Sequence, residues 1–246
     1  MVSTIGIISL SSGIIGEDFV KHEVDLGIQR LKDLGLNPIF LPHSLKGLDF
    51  IKEHPEVRAE DLIHAFSDDS IDMILCAIGG DDTYRLLPYL FENDQLQKVI
   101  KPKIFLGFSD TTMNHLMLHK LGIKTFYGQS FLADICELDK EMLPYSLHYF
   151  KELIETGRIS EIRPSNVWYE ERTLVPKPWE HLVSAMQIQV LTCYKAMLSL
   201  REKSSVVVLS LSMIFLTTLY MKIAQTSAKN TNFSLTYPTG KERFYC

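Results

Sequence analysis

The sequence predicts an α/β fold, a mainly parallel sheet with flanking helices, joined to a C-terminal segment of different character. Three observations carry this. Short β-rich runs alternate with amphipathic stretches of about ten to fifteen residues over positions 1–165, the pattern of βαβ units. Glycines stand where those stretches end, at Gly35, Gly122 and Gly157, the usual position beyond a helix C-terminus. From about residue 184 the composition changes abruptly.

In order, residues 4–10 (TIGIISL) form a first strand, and Ser11-Ser12-Gly13 is a loop signal. Residues 18–34 carry Phe19, Val20, Val24, Ile28, Leu31 and Leu34 at helical spacing. Residues 37–41 (NPIFL) are a second strand. Residues 59–66 are a helix whose Glu60 and Asp61 suit the positive end of its dipole. Residues 71–78 (IDMILCAI) are a third strand ending in Gly79-Gly80, and residues 84–91 a short helix. Residues 103–108 make a fourth strand, 111–121 a helix, 124–127 a fifth strand and 143–156 a last helix. In parallel sheets of this kind ligands bind at the carboxyl ends of the strands. Three loops there are chemically unusual: Ser11-Ser12-Gly13, Gly79-Gly80-Asp81-Asp82 and Gly107-Phe108-Ser109-Asp110. They are expected to converge, although each alone also reads as an ordinary turn with Ser or Asp as a cap.

Composition excludes several classes. Of 246 residues, 46% are apolar and 22% charged, as in soluble globular chains. The net charge of −5 argues against a nucleic-acid partner. Cys76, Cys136, Cys193 and Cys246 form no CxxC pair, so neither a disulfide framework nor a metal site is expected, and a cytoplasmic setting fits. The N-terminal apolar run has no basic segment before it and does not read as a signal peptide. GGDDTYR lacks the lysine and the third glycine of phosphate-binding loops, so no cofactor is expected. Residues 206–221 (VVVLSLSMIFLTTLYM) are the one membrane candidate, and sixteen residues are short for a span.

The chemistry concentrates at Ser109. A serine hydroxyl needs exposure, an oxyanion hole and a base to act as a nucleophile. A strand-turn-helix lifts the hydroxyl clear of the sheet, and the helix start offers backbone N–H groups, including that of Asp110. Gly79-Gly80 at the neighbouring strand end can supply a second donor. G-x-S-D-T lacks the last glycine of G-x-S-x-G, and Ser109 or Asp110 also reads as a simple helix cap. His115 and His119 share a helix face without the glutamate of HExxH, and packing or solvation explains them.

Taken together, "AIGGDDTYRLLPYL", "KPKIFLGFSDTTMNHLMLHKLGIKTFYGQSF" and the later "WYEER" resemble the serine LD-carboxypeptidase family, in its microcin C immunity branch, over residues 3–183. The resemblance implies a flavodoxin-like N-terminal domain over 1–165 carrying the nucleophile, with 166–183 a hinge. It implies Ser109 as nucleophile, the N–H groups of Gly80 and Asp110 as oxyanion hole, and Gly79, Asp81 and Trp179 at the substrate; Trp168 is an alternative for the stacking indole, and both also read as core or hinge aromatics. It implies no metal, a homodimer, and cleavage of an amide bond beside a free carboxylate, in a murein LD-peptide or a peptidyl or aminoacyl nucleotide. In the family a second domain supplies the Glu and His of a Ser-Glu-His triad.

The tail departs from that pattern. Residues 184–246 hold seven Lys or Arg and two Glu, a net of +5 against −10 for the preceding 183 residues. They contain no Asp, no His and one Gly, Gly240. The expectation is an atypical remnant of the second domain, as a frameshift or truncation would produce. A hydrolase without its base, or a binding protein that keeps the pocket, would result.

Overall fold

The computed structural model describes residues 1–169 and 185–187. Trp179, most of the expected hinge at 166–183 and, apart from 185–187, the tail lie outside them.

The elements in chain order are β1 (Thr4–Ile8), α1 (Lys21–Asp33), β2 (Asn37–Phe40), α2 (Leu48–Glu53), α3 (Pro55–Ser67), β3 (Met73–Cys76), α4 (Leu87–Phe91), α5 (Gln95–Val99), β4 (Ile104–Gly107), α6 (Thr112–Lys120), β5 (Phe126–Tyr127), α7 (Pro144–Thr156), β6 (Val167–Tyr169) and β7 (Ala185–Gln187). The first five strands form one sheet in the order β2-β1-β3-β4-β5. Every pairing in it is parallel, with Ile5 opposite Pro38 and Met73, Met73 opposite Ile104, and Leu106 opposite Phe126. This is the flavodoxin-like order of a doubly wound sheet, and it reverses direction between β1 and β3. β6 and β7 pair antiparallel as a separate ribbon, with Trp168 opposite Met186.

Period-two alternation divides the strand side chains between two layers. Ile5, Ile7, Met73, Leu75 and Leu106 join Val24 and Leu31 of α1 and Phe150, Leu153 and Ile154 of α7 in one buried cluster. Phe105, out of phase with Leu106, meets His115 of α6 edge-on at 5.1 Å on the other face. Burying strands on both faces is what a parallel sheet requires, and all four residues of β3 are buried. Gly35, Gly122 and Gly157 adopt φ of +78°, +81° and +72°, so each closes its helix in the left-handed conformation.

One difference from the sequence reading is at α3, which begins at Pro55 and not at residue 59. Glu56 therefore occupies its first turn, while Glu60 and Asp61 lie mid-helix, away from the positive end of the dipole. The other differences lie in short elements. α2 and α5 have six and five residues, too few to show a period, and each is held by one fully buried apolar residue, Ile51 or Leu96. The stretch read as one helix over 18–34 opens with a 3₁₀ turn at Asp18–Val20 before α1. Among the described residues no helix is long and apolar enough to cross a membrane.

One ion pair, its arginine buried and its aspartate partly so, ties the helical layer to the loops above the sheet. Arg58 of α3 is fully buried. Its Nη1 donates to the carbonyls of Leu10 and Ser11, both at 3.2 Å, and to Asp82 Oδ1 at 2.6 Å; Nη2 donates to Asp82 Oδ2 at 3.2 Å. Arg85 Nη1 adds a bond to the same carboxylate at 3.0 Å. Removing the guanidinium leaves the carbonyls of buried Leu10 and Ser11 without this donor and the half-buried Asp82 carboxylate with Arg85 alone. Arg58→Leu is expected to lower stability by about 3 kcal/mol, read as a fall in the urea midpoint; a midpoint equal to wild type would show that the pair is dispensable.

Candidate active site

Because the sheet is parallel, the loops after β1, β3 and β4 leave the same edge. They meet there, as the sequence suggested. Asp110 is buried, and its Oδ2 accepts three hydrogen bonds: from Ser11 Oγ at 2.5 Å, from the Asp82 N–H at 2.9 Å and from the Thr83 N–H at 3.0 Å. Thr83 Oγ1 returns a bond to the Asp110 carbonyl at 2.8 Å. The side chain thus looks across the cleft to the other two loops, and the simple helix-cap reading of Asp110 fails.

Ser109 stands on the turn between β4 and α6. Phe108 before it is extended, and a 3₁₀ turn over Ser109–Thr111 leads into the helix. Ser109 has φ +62°, a left-handed conformation that costs a residue with a Cβ about 1–3 kcal/mol. Three bonds hold it. Thr111 Oγ1 donates to the Phe108 carbonyl at 2.7 Å, Thr112 Oγ1 donates to the Ser109 carbonyl, and the Ser109 N–H donates to Tyr127 Oη at 3.2 Å. The serine itself remains exposed.

Two glycines make room beside it. A Cβ on Gly79 would stand 2.9 Å from Ser109 Oγ and 2.8 Å from its Cβ, and a Cβ on Gly80 would stand 2.1 Å from Ser11 Oγ. Only glycine lets the β3 loop pass this close to both neighbours. The Ser109 N–H is occupied by Tyr127, while the first N–H groups of a helix have no partner within it. Among the described residues no hydrogen bond engages the N–H of Gly80 or Asp110. The arrangement is therefore an exposed serine at a strand-to-helix turn, with an unengaged amide on the next residue and another on the β3 loop.

His115 is spoken for. Its Nε2 lies 3.0 Å from the Gly107 carbonyl, which can only accept, so Nε2 carries the hydrogen. Nδ1, 2.7 Å from Thr125 Oγ1, is then the acceptor. Burial lowers its pKa from 6.5, outweighing the carbonyl, which pulls the other way. A neutral imidazole with both nitrogens engaged is a packing group, as the sequence suggested for it. His119 is exposed on the same helix. Burial also pushes the Cys76 thiol, beneath the elbow, up to about 12, so it is no nucleophile at neutral pH.

Of the residues singled out from sequence, Ser109, Asp110, Gly79 and Gly80 come together. Asp81 is exposed on the same loop, and Trp168 is exposed on β6. Sequence reasoning missed Arg58, Thr83 and Tyr127. Tyr127 read as a strand residue and Arg58 fell just ahead of the helix read at 59–66, and nothing local marks either. Among the described residues no group of three or more His, Cys, Asp or Glu could hold a metal ion.

The doubly wound order and a strained, exposed serine at its carboxyl edge define an α/β protein of the elbow type. Residues 5–128 match the peptidase S66 family description "LD-carboxypeptidase N-terminal domain", and the chain belongs to that family. YocD of Bacillus subtilis (strain 168), which bears a carboxypeptidase name, is 30% identical over 143 residues, 58% of this chain and 42% of that protein. A second protein of that strain, named for murein peptide carboxypeptidase activity, is 32% identical over 135 residues, 54% of this chain and 40% of that one. An MccF-like protein from Streptococcus pneumoniae, solved in complex with AMP, is 88% identical; the match covers 77% of this chain and 55% of that one, with a TM-score of 0.75. An MccF-like protein from Bacillus anthracis str. Ames is 26% identical, with 76% and 54% covered and a TM-score of 0.62. The chain thus spans less than half the length of these curated relatives and about 55% of the solved ones.

His115 gives the elbow a pH signature. Below pH 6.5 the unfolded chain takes up a proton at this residue that the native site refuses. Its stabilisation is complete above that value and is lost as pH falls through it toward the lowered native pKa. His115→Gln is expected to flatten the decline in thermal midpoint between about pH 7 and pH 5; parallel curves for the two proteins would refute the buried neutral imidazole.

Proposed function

We propose that this chain carries the nucleophile half of a serine-type amide hydrolase of the LD-carboxypeptidase type. Its substrates are small peptides or peptidyl or aminoacyl nucleotides, cut beside a free carboxylate. The observation that carries this reading is the left-handed, exposed Ser109 held against Gly79. A serine is placed in such a conformation only where surrounding bonds over-determine it, and a strained elbow is a common way to present a hydroxyl.

In this mechanism Ser109 Oγ attacks the scissile carbonyl carbon while a base takes its proton. The carbonyl π pair moves to oxygen, and the N–H groups of Gly80 and Asp110 receive the oxyanion. Collapse expels the amine, which takes the proton from the base. Water then attacks the Ser109 ester, the base again relaying the proton, and frees the acid. Gly79 and Asp81 line the approach, and the Trp179 indole is the group to stack on a nucleotide base. Peptide substrates are supported by the Bacillus subtilis relative named for murein peptides, and nucleotide ones by the Streptococcus pneumoniae neighbour in complex with AMP.

A second reading has one observation in its favour. His115, the histidine built into the elbow, has no nitrogen left for Ser109. Without a base most of a triad's rate is lost, although an oxyanion hole keeps a remnant. The chain would then hold ligand without turning it over.

Labelling with a fluorophosphonate, mapped by mass spectrometry, separates the two. The hydrolase reading expects label at Ser109, lost in Ser109→Ala, with hydrolysis of an LD-tetrapeptide or an aminoacyl sulfamoyl adenosine lost in the same variant. Nucleotide binding by calorimetry with no label selects the binding protein. Gly79→Ala sets a methyl against Ser109 Oγ, and we expect it to slow labelling about tenfold or more; an unchanged rate would mean that the hydroxyl does not work in the position seen here.

A further inference from the structure

We infer that Tyr127 is a positioning residue for Ser109, a role that deepens the hydrolase reading and rests on it. β5 is an edge strand of only two residues, yet the segment around it grips the β4–α6 turn on both sides. Ahead of the turn, the Gly107 carbonyl accepts from the Gly128 N–H at 3.1 Å and from His115 Nε2 at 3.0 Å, and His115 is itself fixed by Thr125. On the serine itself, Tyr127 Oη accepts the Ser109 N–H. The phenol ring is steadied against the His115 ring, with centroids 5.5 Å apart.

The hydroxyl of Tyr127 does two things for the site. It satisfies the amide of a residue held at φ +62°, where the backbone by itself prefers to relax. It also removes that amide from the pool of oxyanion donors and leaves the Asp110 N–H to serve. The bond is not a core contact: Tyr127 is 62% exposed, and the serine it holds is exposed as well. A phenol spent on a backbone amide at that exposure is explained by placement of the residue that bears the amide.

The test uses the full chain and Tyr127→Phe, which keeps the ring and removes the hydroxyl. Fluorophosphonate inactivation is resolved into its maximal rate and its half-saturating concentration, and exchange of the Ser109 amide hydrogen is followed by NMR. We expect the maximal rate to fall about ten- to a hundredfold, half-saturation to stay within about twofold, and Ser109 exchange to accelerate while the thermal midpoint holds. A purely structural tyrosine would lower the midpoint and leave the labelling rate unchanged. Labelling of wild type with an equal maximal rate in Tyr127→Phe overturns the inference and spares the nucleophile. If wild type takes no label, the hydrolase reading fails, and exchange alone decides the grip: faster exchange in the variant upholds it, and equal exchange removes it.

Discussion

The site depends on the Asp110 carboxylate. It is buried beneath an exposed serine, and one oxygen gathers a hydroxyl from the β1 loop and two amides from the β3 loop. A buried carboxylate is tolerable only when hydrogen bonds replace its water, so each donor has to stay where it is. The loops therefore fix one another. Asp82 gives its amide to Asp110 and its carboxylate to Arg58, which in turn reaches the Leu10 and Ser11 carbonyls and closes the circuit. Backbone strain at Ser109 persists because its neighbours cannot move to relieve it.

Much of this was legible in the sequence because it rests on local rules. The strands show as apolar runs, and Gly35, Gly122 and Gly157 mark helix ends because few other residues accept a left-handed backbone. The placement of Ser109, Gly79 and Gly80 at strand ends follows from the same reading. What escaped depends on distance in the chain. Asp110 read as a cap because a sequence shows neighbours at i+2 and i+3, while its partners lie 27, 28 and 99 positions away. Arg58 lay one residue ahead of the helix read from the sequence, where a basic residue carries no signal of burial. α2 and α5 are too short to carry a period, and only the pockets that receive Ile51 and Leu96 make them helices.

Among the described residues, the serine hydroxyl and the unengaged amides of the candidate site lie between the end of β1 and the end of β5. The elbow's own histidine, His115, has both ring nitrogens bound within the fold. On the proposed hydrolase reading, the proton acceptor is therefore a group other than His115. The chain aligns with the N-terminal domain of its family and spans about half of its solved neighbours.

The reach of the Asp110 contacts also sets an order of events when the chain folds. Ser11, Asp82 and Asp110 cannot approach until β1, β3 and β4 lie side by side, and β3 is the strand that joins the outer two. Contacts spanning 99 residues close late, because the intervening loop entropy is spent before they return anything. Until then the carboxylate stays in water and the serine relaxes to an ordinary backbone. Partly folded chains would carry sheet and helices but no strained serine, so the geometry seen at Ser109 would arrive only with the finished domain.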